Sequence, residues 1–148
     1  MKYDPTDTAR MFLFVHEIPQ NRGLMVESIQ HWSGGQPGDS WCAFFVLFIL
    51  DICFGGKDKN PLKRSGAVQV IYDQAKQENW LTTSPVNGDL FIYVNDADHA
   101  FHIGIYAGFH NGIAGNTSED GKSSNGVGVF EHGLTTNTAH IKYIHYPR

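Results

Sequence analysis

Two cysteines, no run of like charge and no apolar stretch of membrane-spanning length are the first features of this chain, and each shortage removes a class of protein. Lysine and arginine are few and scattered, and the net charge over 148 residues is −4, which argues against nucleic acid as a partner. The most apolar stretch, Trp41 to Phe54, is interrupted by Asp51 and is shorter than the ~20 residues needed to cross a bilayer core, so no membrane span is expected. Met1 to Asp7 lacks a basic segment followed by an apolar one, so no secretory signal peptide is expected. Neither Cys-x-x-Cys nor His-Glu-x-x-His occurs, and His99 and His102 would point to opposite faces of a strand, so no catalytic zinc is expected. The acidic stretches Asp96 to Asp98 and Glu119-Asp120 lack EF-hand spacing. There is no internal repeat, linker or low-complexity block, and no cofactor is implied.

What is present suits a globular fold. Hydrophobic residues make up 41% and charged residues 18%, a balance that places the chain with packed rather than disordered proteins. A single domain over residues 1–148 is expected. The first half reads helical. Thr6 or Asp7 could cap a helix running to about Glu17, which Pro19 ends. Asn21-Arg22-Gly23 opens a second helix carrying Leu24, Met25, Val26, Ile29 and Trp32. A third begins at Cys42 and meets a C-cap signal at Gly55-Gly56, and a fourth runs from about Ser65 to Asn79. The second half reads as strands: Asp89 to Asn95, Ala100 to Ala107, a return after an Asn111-Gly112 hairpin turn, Val127 to Glu131 and Ile141 to Tyr146. Asn116 to Asn125 reads as a polar loop. Helices first and antiparallel strands after predict an α+β fold, with a sheet of about five strands under N-terminal helices.

Cys42 is the residue with chemical promise. It stands where a glycine-rich loop, Ser33 to Ser40, gives way to the apolar run. A helix N-terminus offers free backbone N–H groups and the positive end of the dipole, and both favour a thiolate, the attacking form of cysteine. If Cys53 shares that helix, eleven residues at ~1.5 Å each part the two Cα atoms by roughly 16 Å, where a disulfide needs them within about 7 Å. Cys53 then reads as a small buried hydrophobe. A base is available in His102, on the strand face shared with Gly104 and Tyr106, and Gly104 would leave room for the Cys42 helix to approach that face. An imidazole base needs a third group to orient it, and the candidates in order are Asn116, Glu131 and Asp89.

Five motifs occur in order: Asn21-Arg22-Gly23 with Val26, Trp41-Cys42-Ala43 with Phe45-Val46, Pro85 with Gly88-Asp89-Leu90, His102-Ile103-Gly104-Ile105, and Gly115-Asn116. Together they resemble the CHAP domains, papain-like amidase and endopeptidase modules of phage lysins and bacterial wall hydrolases. The resemblance runs from about Glu17 to the closing Tyr146-Pro147-Arg148. It implies a papain-like fold and cleavage of peptidoglycan amide bonds, with Cys42 as nucleophile, His102 as base and Asn116 as the polar third residue. Many lysin members carry a Glu two residues before that Asn; here the position is Ala114, which leaves a fourth member to be supplied elsewhere, with Glu131 as candidate. The implied partners are a peptidoglycan peptide as substrate and an inhibitor or immunity protein, with the enzyme a monomer. Without a signal peptide, delivery to the wall would be by phage or by a secretion machine. Two other readings stay open: a catalytically impaired wall- or peptide-binding module on the same fold, and an intracellular amide or thioester hydrolase.

Overall fold

A computed structural model describes residues 1–121, 126–134 and 140–148. The end of the polar stretch expected over Asn116 to Asn125 lies outside the described residues. The order of elements is four helices and then strands, an α+β architecture.

α1 (Pro5–Arg10) is nucleated by Asp4, whose carboxylate accepts the N–H groups of Thr6 at 2.9 Å and Asp7 at 3.0 Å, with Pro5 preset for the first turn. It stops well before Glu17. Residues 15–17 are drawn instead into sheet-like pairing: His16 bridges Gly128, Val129 donates to the Val15 carbonyl at 2.9 Å, and Glu17 donates to the Val127 carbonyl at 2.8 Å. α2 (Leu24–Ser33) and α3 (Cys42–Phe54) both end on a left-handed glycine, Gly34 and Gly55. α4 (Val68–Gln77) starts three residues later than its sequence pattern suggests.

β1 (Leu81–Thr82), β2 (Leu90–Val94), β3 (Ala100–Gly108), β4 (Asn111–Thr117), β5 (Gly128–Gly133) and β6 (His140–Ile144) form one antiparallel sheet in the order β1-β6-β2-β3-β4-β5. The two-residue β1 is the strand that sequence patterning misses. The β3–β4 turn also moves. Its central residues are Phe109 and His110, both with positive φ (48° and 59°), the backbone that a type I′ turn needs. Asn111-Gly112, the stronger turn signal in sequence, lies inside β4, where Gly112 pairs with Tyr106 and His132.

The helices cover one face of the sheet. Phe45, Leu47, Ile49 and Leu50 of α3 share a core with Leu90, Ile92, Ile103 and Ile105, all of them wholly buried. Each such side chain contributes about 1.5–3 kcal/mol on leaving water. The opposite face holds a smaller cluster of Phe91, Tyr93, Tyr106, Ala114 and Leu134. Two buried carboxylates tie the frame. Asp51 accepts from Trp32 Nε1 at 2.9 Å, Asn60 Nδ2 at 2.8 Å and Arg64 Nη1 at 2.6 Å. Asp89 accepts from the Val86 N–H and faces His145 Nδ1, both at 2.9 Å, and also accepts from Arg148. Among the described residues no helix is long and apolar enough to cross a membrane.

Candidate active site

Trp41 is the cap residue of α3 and Cys42 its first helical residue. Phe45 N–H reaches the Trp41 carbonyl at 2.8 Å, so the N–H groups of Cys42, Ala43 and Phe44 have no acceptor within the helix. Cys42 and Cys53 stand at opposite ends of α3, and both are free thiols. Only 4% of Cys42 is exposed, and burial pushes its thiol up to about 11. Backbone N–H groups of Ile103, Ala43 and Cys42 itself pull the other way, as the helix N-terminus leads one to expect, but desolvation is the larger effect. In this closed arrangement the thiol is protonated at neutral pH, not the ready thiolate that the loop–helix junction suggests.

The contact with Ile103 fixes where Cys42 lies. Its sulfur approaches the peptide that joins His102 to Ile103, on a part of β3 that β4 does not pair: their register covers Ile105 to Gly108 only. The His102 backbone is therefore at the thiol. Its ring is not. His102 stacks near Tyr93 (centroids 5.5 Å apart) and Phe91 (6.1 Å), on the face of the sheet away from the helices. It is wholly buried, and neither ring nitrogen has a hydrogen-bond partner among the described residues. Burial, with neighbouring His132 acting in the same direction, pushes its pKa down to about 3.

The expectation that Gly104 would admit the Cys42 helix is corrected by this geometry. α3 packs on the Ile103 and Ile105 side, and the space a Cβ at Gly104 would fill is taken by the Phe91 ring at 2.4 Å.

Asn116 does come to the nucleophile's end of α3. A bulge in the β4–β5 register sets it at φ 52°, and its Nδ2 donates to Ser40 Oγ at 2.8 Å, two residues before Cys42. The residue before it, Gly115, lies so close that a Cβ there would come within 2.5 Å of the Trp41 ring. Thus Asn116 is joined to the loop that carries Cys42, whereas no hydrogen bond joins it to His102. The two other candidates are engaged elsewhere: Glu131 grips Arg10 through both oxygens, at 2.8 and 3.0 Å, and Asp89 is held by the C-terminal residues described above. Ala114 faces the far cluster.

Two residues at the site carry no sequence signal. Ser40, exposed in the loop, is the partner of Asn116, and Glu17 accepts the Trp41 indole N–H at 2.7 Å. A carboxylate 24 positions before its partner follows no periodicity, so only the folded chain reveals it. Among the described residues no group of three His, Cys, Asp or Glu side chains is disposed to hold a metal ion.

No family model, curated protein or solved structure matches the chain.

Proposed function

We propose that the chain is a cysteine hydrolase that cleaves amide bonds in peptidoglycan, with Cys42 as nucleophile, His102 as base and Asn116 as the polar third residue. The observation that carries this reading is the convergence on Cys42 Sγ of N–H groups from the first turn of α3 and from the peptide that follows His102. The substrate class comes from the resemblance of the five motifs to CHAP domains.

In this scheme the His102 ring turns from the Phe91–Tyr93 face toward the buried edge of β3 that β4 leaves unpaired, next to which the thiol already lies. Substrate and water entering the site lift the desolvation that separates the two pKa values. The neutral imidazole takes the thiol proton, and the thiolate attacks the amide carbonyl. The oxyanion accepts hydrogen bonds from the first-turn N–H groups of α3. The imidazolium then gives its proton to the leaving amine, and water, activated by the same ring, hydrolyses the thioester. Asn116 braces the Ser40 loop against β4 throughout.

The burial of Cys42 and the unbonded His102 ring also favour a second reading, a wall- or peptide-binding module on the same fold that has lost its chemistry. One assay separates the two. Purified peptidoglycan is incubated with wild type and with Cys42→Ala, and newly released amines are counted while sedimentation measures binding. The hydrolase reading expects release by wild type and a loss of several orders of magnitude in the variant. Equal release would end the nucleophile assignment. Binding by both proteins with release by neither would establish the module instead.

A further inference from the structure

Glu17 uses its whole carboxylate. Oε1 accepts the Trp41 indole N–H at 2.7 Å, and Oε2 accepts the Asn21 backbone N–H at 2.9 Å. Its own N–H donates to the Val127 carbonyl at 2.8 Å. One side chain thereby joins the segment after α1, the turn that opens α2 and the residue that precedes Cys42. Trp41 is wholly buried, so its N–H must find an acceptor inside the protein, and a carboxylate is the stronger kind. The Trp41 ring lies against the bare backbone of Gly115, Asn116 follows, and its amide returns to Ser40, the residue before Trp41. These contacts close a circuit through Ser40 and Trp41, the two residues before Cys42, with Glu17 as its outer fixing point and its only charged member.

We infer that Glu17 is a positioning residue for the Cys42 nucleophile: acting through the Trp41 indole, it holds the loop–helix junction in the closed form that buries the thiol. The inference rests on the reading of Cys42 as a nucleophile, but the circuit and its test require no substrate. Cys53, wholly buried at the other end of the same helix, serves as an internal reference.

The experiment is alkylation of the intact protein by iodoacetamide, with the rate at each cysteine followed by peptide mass spectrometry in wild type, Glu17→Ala, Glu17→Gln and Trp41→Phe. Glu17→Ala is expected to speed labelling of Cys42 about tenfold, the scale of one lost charge-assisted hydrogen bond, and to leave Cys53 slow. The pH midpoint of Cys42 labelling should fall as the thiol gains solvent. Glu17→Gln keeps an oxygen for the indole and should return most of the wild-type rate. Trp41→Phe, which keeps a ring and removes the N–H, should behave as Glu17→Ala does, and it carries the comparison if Glu17→Ala does not fold. A parallel rise at both cysteines would mean general loosening and would overturn the inference, as would an unchanged Cys42 rate. Labelling and hydrolysis fail separately. A wild type that releases no amines would sink the hydrolase reading and leave the circuit standing, whereas unchanged labelling in an active enzyme would sink the circuit alone.

Discussion

Ile103 and Ile105 point from β3 into the helix layer, while His102 and Tyr106, their neighbours in the chain, point the other way. Under the helices, the charged groups drawn inside are paired: Asp51 has three donors and Glu17 has two. On the far face, both nitrogens of His102, Nε2 of His132 and the Tyr93 hydroxyl are buried without a partner among the described residues. Unpaired buried polar groups cost about 1–3 kcal/mol each. Thr6 Oγ1, Asn21 Oδ1 and Gln30 Oε1 are unpaired on the helix side as well, so the two faces differ in kind: among the described residues, only the far face holds a wholly buried titratable ring with every polar atom unpaired, His102, the residue that the motif resemblance names as the base. Groups kept at a cost to stability are a known mark of working sites.

The comparison can be tested on each face. The largest effect is expected on the helix side, where Phe45→Ala should cost about 3–5 kcal/mol in urea denaturation, the range for removing a wholly buried aromatic ring. A loss below about 1 kcal/mol would show that the α3 core is not the main source of stability.

Next in size, over the interval from pH 7 to 5, is the response to acid. The folded-state pKa of His102 is lowered to about 3 from 6.5, and that of His132 is lowered too, in both cases by burial first. The unfolded chain therefore takes up protons below pH 6.5 that the folded chain refuses. Stability is full above that pH and declines as the pH falls toward 3, by about 1.4 kcal/mol per pH unit for each fully refused proton. Paired carboxylates such as Asp73, Asp98 and Glu131, whose pKa values are lowered from 3.8–4.5, act only further down. Denaturation midpoints that stay level between pH 7 and 5 would refute the burial of these imidazoles.

His102→Phe comes third. It should raise stability at neutral pH by about 1–3 kcal/mol, because it replaces two unpaired nitrogens with carbon among Phe91 and Tyr93. It should also reduce the acid slope to the share of His132 and abolish amine release. A variant that is both less stable and fully active would reverse the view of the far face.

How much of this was legible beforehand follows from the range of the forces involved. α3 could be read to the residue, since a loop, an unbroken apolar run and a left-handed glycine are all local signals. α1 could not, because whether 11–17 stays helical is decided by residues 127–129 at the start of β5, more than a hundred residues away, which recruit the Val15 and Glu17 backbones. The Asn111-Gly112 signal was real but one pair late, since φ > 0 at Phe109 and His110 is imposed by the register of β3 on β4. At the site, alternation placed His102 with Gly104 and Tyr106, as the fold has them, but could not say which face the helices would cover. Asn116 was legible as a polar residue after a hairpin. Its partner Ser40 and the hold of Glu17 on Trp41 were not, for they join segments that no periodicity relates.

The smallest expected effect concerns Glu131, whose place among the candidates rested on its position at the end of a strand. Its carboxylate is bound through both oxygens by the Arg10 guanidinium, and that pairing holds its pKa below the usual range. The pair ties α1 to β5 at the surface, with side-chain exposures of 43% for Arg10 and 29% for Glu131. Solvent screening there limits its worth to about 0–1 kcal/mol. Glu131→Gln should therefore shift the melting temperature only slightly and leave the Cys42 labelling rate and the pH profile of amine release where they were. A carboxylate that oriented the catalytic imidazole would behave otherwise: losing its charge would lower the imidazole pKa and move the acidic limb of that profile. A moved limb would return Glu131 to the site in place of Asn116, and an unmoved one leaves Arg10 as its partner.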